Sequence, residues 1–65
     1  MIYEEELILH IENGIRAIHL GTKPADTKAP VALNKLKVIN EGMYSDYLEK
    51  YKRALKDYKH KNEIK

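Results

Sequence analysis

From Tyr44 to Tyr58 the apolar residues recur at the spacing of one helix face, and this pattern constrains the chain more than any other. On a wheel of about 100° per residue, Tyr44, Tyr47, Leu48, Tyr51, Ala54, Leu55 and Tyr58 share an arc of about 120° with no polar residue among them. A helix with such a face must bury it against another element. The chain therefore has to supply a matching stripe.

Residues 3–20 supply it. Tyr3, Leu7, Ile8, Ile11, Ile15 and Ile18 fall in an arc of about 140°. Gly14 lies inside that arc, which predicts that another helix crosses closely there, since a glycine on a helix otherwise only costs stability. Glu4, Glu5 and Glu6 occupy the first turn, where the helix dipole favours anions. Leu20-Gly21 reads as the helix end with its capping glycine.

The connection, residues 21–30, contains Pro24 and Pro30, and each proline pushes the residue before it away from helical geometry. Asp26 or Thr27 is the expected cap of a second helix, with Pro30 in its first turn. Ala32, Leu33, Leu36 and Ile39 share a helical face, so residues 31–41 are read as that helix. Lys37-Val38-Ile39 resembles a strand fragment, but no second strand exists to pair with it. The third helix is expected over residues 44–61, capped by Ser45 and laced by the i,i+4 pairs Asp46–Lys50, Glu49–Arg53 and Asp57–Lys61. Residues 62–65 are expected to fray. Gly42 would separate the second and third helices. Leu36, Ile39, Met43 and Tyr47 nevertheless stay nearly in phase across it, so one long bent helix folded back on the first is the alternative. The fold class is all-α in either case: a small three-helix bundle or a helical hairpin.

Length then decides how far such a fold can stand alone. A 65-residue chain buries only about 60% of the surface of its unfolded form, and small domains usually add disulfides, a metal or a partner subunit. With no cysteine, self-association is the expected supplement. Charge is unevenly laid out within the net +2. Residues 1–20 carry Glu4, Glu5, Glu6 and Glu12 against Arg16 alone, whereas residues 43–65 hold an excess of lysine. A homodimer with two-fold symmetry, the commonest oligomer, is expected to set the acidic start of the first helix against the basic end of the third helix of the other copy. The acidic N-terminus does not suit a secretory signal, and no apolar run approaches the ~20 residues of a membrane span. A cytoplasmic location, with no membrane partner, is the expectation.

Little here suits catalysis. The single serine, Ser45, sits where a cap belongs, and covalent catalysis needs a nucleophile within reach of a base. No catalytic residue, cofactor or small-molecule substrate is expected. Glu6 and His10, spaced i,i+4, offer at most two metal ligands where a closed site takes about four. His10 and His19 fall on opposite sides of their helix, and the three glycines form no phosphate loop. No helix-turn-helix, zinc-finger or EF-hand signature is present.

Two functional readings remain. The first is a non-enzymatic protein-interaction module that self-associates and docks on a larger cytoplasmic protein, with Ile2, Leu9, Leu20 and Val38 as apolar contacts projecting from the backs of the first two helices. The second is a small nucleic-acid-binding protein using Lys52, Arg53, Lys56 and Lys59, beside tyrosines that would serve as stacking platforms. The tyrosines also form the very face that must pack on the first helix, which favours the first reading. A composition rich in Lys, Ile, Asn and Tyr is typical of AT-rich bacterial, phage or other mobile-element genomes.

Overall fold

The computed structural model describes the backbone of residues 3–63 and the side chains of residues 3–61. It is all-α, with three helices: α1 (Tyr3–His19), α2 (Ala29–Ile39) and α3 (Glu41–Glu63), and a single 3-10 turn at Pro24–Asp26. No strand occurs among the described residues. Contacts fix the directions. Gly14 of α1 lies beside Ala29 at the start of α2, while Glu4 bonds Asn40 just past the end of α2, so these two helices run antiparallel. Tyr47 bonds Glu12 and Asp57 bonds His19, so α3 runs parallel to α1.

The end of α1 follows from Gly21. Its φ of 109° is open to glycine without strain. It lets Thr22 N–H reach the Ala17 carbonyl (2.9 Å) and Gly21 N–H reach that of Ile18 (3.0 Å), the paired bonds of a Schellman cap. In the loop, the Thr27 hydroxyl donates to the Pro24 carbonyl (2.8 Å) and accepts from Ala29 N–H (3.4 Å). Neither expected cap holds the N-cap position of α2: that residue is Lys28, without a side-chain cap bond, and α2 starts at Ala29, with Pro30 in its first turn.

The break between α2 and α3 lies at Asn40, before Gly42, and Gly42 is helical. Asn40 uses every polar group it has. Its N–H donates to Leu36 O at 2.8 Å and its carbonyl accepts from Tyr44 N–H at 2.9 Å. The side-chain Oδ1 accepts from Met43 N–H at 3.1 Å, capping α3, and Nδ2 donates to Glu4 Oε1 at 2.9 Å. Ser45 is therefore an exposed residue inside α3 and caps nothing. At the far end α3 runs to Glu63; residues 64 and 65 of the expected tail lie outside the described residues.

Leu7, Ile11, Ala32, Leu33 and Leu36 form the core cluster, against which Ile15, Met43, Tyr44, Tyr47, Leu48 and Tyr51 are packed half-buried. Ile18, Ala29 and Ala54 are also fully buried. Two expected core members are not. Tyr3 and Ile39 are about half exposed. Each lies on the edge of its helix that faces away from α3, where none of the described helices covers it. Of the anticipated i,i+4 pairs, Glu49–Arg53 (3.2 Å) and Asp57–Lys61 (3.3 Å) form. Lys50 instead sits over the Tyr47 ring, 5.0 Å from its centroid.

The glycines give opposite expectations. A Cβ on Gly14 would lie 2.6 Å from Ala29 Cβ and 3.2 Å from Ala29 N, so Gly14→Ala must push α1 and α2 apart. A cost of about 1–3 kcal/mol is expected from overpacking. A Cβ on Gly42 would meet only Asn40 Oδ1 at 3.8 Å, so Gly42→Ala should stabilise by about 0.5–1 kcal/mol through a less entropic unfolded chain. Urea unfolding of the two variants checks both signs. Asn40→Ala removes the α3 cap and leaves Glu4 without its donor, and should lower stability by about 1–2 kcal/mol in the same measurement.

Candidate functional site

The choice between the two readings turns on the tyrosines. Tyr44, Tyr47 and Tyr51 lie half-buried against the core cluster. The Tyr47 hydroxyl reaches the rim and donates to Glu12 Oε1 at 2.9 Å. Burial, and after it the bond to Glu12, raises the Tyr47 hydroxyl above its usual value; burial alone raises that of Tyr51. Lysine ammonium groups lie over two of the rings, Lys50 on Tyr47 and Lys37 on Tyr44 at 5.8 Å. Cation–ring contacts of this kind contribute about 0.5–1 kcal/mol each where exposed. On Tyr44 and Tyr47 a lysine thus already occupies a ring face.

Lys52, Arg53, Lys56 and Lys59 are all exposed on the outer side of α3. Arg53 is occupied by Glu49. A shallow depression lined by Arg53, Lys56, Asp57 and His60 runs along the same side, with Asp57 the one carboxylate in its lining.

Leu9, Leu20 and Val38 also stand in the open, Leu20 and Val38 at 82% and 85% exposure. Ile2 lies outside the described residues. The fold does not bring the other three together: Leu9 is at the back of α1, Leu20 follows the last residue of α1 and borders a depression shared with Ile15, Arg16, His19 and Tyr47, and Val38, with Val31, is at the back of α2. A further apolar surface escapes the sequence pattern. Between α1 and α2, on the side away from α3, runs a groove of about 340 Å³ lined by Leu7, His10, Lys28, Val31, Ala32 and Lys35, with Thr27 at its end. Tyr3 and Ile39 extend the same stripes toward its open end, by their positions on the two helix wheels. The wheel alone holds no signal for this groove, since it does not say on which side the third helix settles.

No group of three or more His, Cys, Asp or Glu able to hold a metal occurs among the described residues. Within those residues no helix is long and apolar enough to cross a membrane. His10 borders the groove, whereas His19 faces α3. His19 Nδ1 lies 3.1 Å from Asp57 Oδ2, and Lys61 Nζ donates to the His19 carbonyl at 2.6 Å. Lys61 thus places a cation on the last turn of α1, where the helix dipole favours it, while Asp57 bridges both groups. Matching against family models, curated proteins and solved structures returns no similar protein for this chain.

The His19 and Lys61 bonds hold the Asp57 carboxyl below its ordinary range. A carboxylate with a depressed folded-state pKa contributes stability above its unfolded-state pKa and loses it as pH falls through the folded value. Asp57→Asn should therefore destabilise the protein at neutral pH, and the gap to the wild type should close on acidification through the carboxylate range. Urea midpoints measured along that pH series check this.

Proposed function

We propose that the protein is a non-enzymatic protein-interaction module that self-associates and docks on a larger cytoplasmic protein. The observation that carries this reading is the amount of apolar side chain left in water. Leu20 and Val38 are almost wholly exposed, and Leu9, Tyr3, Val31 and Ile39 are about half so. Single exposed apolar residues are ordinary. So many on a chain whose largest fully buried side chains are Ile11, Ile18 and Leu36 support surfaces reserved for other proteins.

The outward lysines of α3 favour the second reading, nucleic-acid binding. With the tyrosines packed inward, it would rest on phosphate contacts from Lys52, Lys56 and Lys59. Three such contacts would weaken binding about 20- to 40-fold between ~50 and ~200 mM salt. The discriminating experiment is retention of host partners on the immobilised protein at those two salt concentrations. A protein partner that survives the higher salt, is lost with Leu20→Asp or Val38→Asp, and is kept by the Lys52/Lys56/Lys59→Ala triple variant is the expected result. Recovery of nucleic acid that disappears with salt and with the triple variant would replace this reading by the second.

A further inference from the structure

We infer that the open α1–α2 groove is the seat of a second copy of this chain, packed so that α1 of each copy lies over α2 of the other. This rests on the self-associating part of the proposed function and assigns it a face. The occupant's chemistry is set by the lining. Among the groove-lining residues Lys28 and Lys35 are cationic, and none is a carboxylate. Leu7 and Ala32 at the groove floor are already buried, so the apolar surface on offer is Val31, with Ile39 and Tyr3 beside it, and this fits an amphipathic helix with acidic flanks. The chain contains such a helix. The first half of α1 carries Glu4, Glu5 and Glu6 beside the exposed Tyr3, and Glu6 lies on the wheel next to His10, which borders the groove.

Symmetry makes the two requirements one. Because α1 and α2 are antiparallel, a two-fold axis along the groove sets α1 against α2 of the other copy at matching height. The pairing Glu4–Asn40 within one chain puts Glu6 at the level of Val38, three residues or about 4.5 Å along the helix from Lys35, a gap the long lysine side chain spans, so a Glu6–Lys35 contact forms twice across the axis. The basic end of α3 is a poorer target for the acidic helix: Lys61 is engaged by Asp57 and by the α1 terminus.

Size sets the strength. A 17-residue α1 is about 25 Å long, and two helices side by side present about 20 Å of width, or about 500 Å² per copy. About 1,000 Å² in total is the lower bound for a specific interface, so the dimer is weak and reversible.

Sedimentation equilibrium of the full chain from micromolar to millimolar concentration tests this. The expected result is a monomer–dimer equilibrium. Val31→Asp, at a site exposed enough to leave folding intact by circular dichroism, should weaken it at least tenfold, and Leu20→Asp, on another face, should leave it unchanged. Glu6→Lys and Lys35→Glu should each weaken association severalfold, and the double variant should restore it. A monomer throughout, or a dimer that a folded Val31→Asp variant or the charge exchange leaves unmoved, overturns the assignment. A monomer that still retains a salt-resistant protein partner removes this face while leaving the protein-binding reading intact, and a Val31-dependent dimer without such a partner does the reverse.

Discussion

Asn40 is the residue on which the arrangement depends. A connection with one non-helical residue forces α2 and α3 back on each other, and it is stable only if the backbone groups freed at both helix ends find partners. Asn40 meets that demand with its own amide: Oδ1 takes the N–H of Met43, while its backbone continues the bonds of both helices. The remaining donor goes to Glu4, which ties the start of α1 to the same corner. All three helices are thereby anchored at one end of the molecule. Since α3 leaves that corner on one side of the α1–α2 pair, the other side stays bare. The open groove is a consequence of the turn.

At the opposite end the constraint is steric. Gly14 and Ala29 approach too closely for even a methyl group on Gly14, so α1 and α2 meet nearly backbone to backbone. The latch of Asp57, His19 and Lys61 then holds the distant end of α3 to the α1 terminus. Exposed ion pairs of this type are individually weak. Here they act on the end of α3 farthest from its anchor at Asn40.

The helices and the Gly14 crossing are legible in the sequence, because both are written in periodicity. A glycine within an apolar arc signals a close neighbour, since on an open helix face it would only weaken the helix. The boundary at Asn40 is not legible, because Gly42 and Ser45 are the more conventional signals for a stop and a start. Asparagine caps as well as serine does, but its value here comes from Glu4, thirty-six positions away in sequence. Tyr3 and Ile39 mislead for a related reason. A helical wheel gives the width of an apolar arc and is silent about which edge receives a neighbour. The site inherits that blindness: Leu9, Leu20 and Val38 are visible as surplus apolar residues, whereas the groove exists only once α3 has chosen its side.

The half-buried tyrosines connect stability to function. A ring set against Leu7 and Ile11 with its hydroxyl at the rim lets α3 contribute packing surface without asking a thin bundle to enclose it, and the lysines over Tyr44 and Tyr47 shield the faces left open. Stacking a base on those rings would mean displacing the lysines and loosening the core together. An apolar partner in the α1–α2 groove meets no such conflict, because covering Val31, Tyr3 and Ile39 adds burial to a chain that has little. Anything that binds only the folded form also stabilises it. Association and folding in so small a bundle therefore draw on the same apolar surface, and the face left bare by the turn at Asn40 is the one whose covering would benefit the fold most.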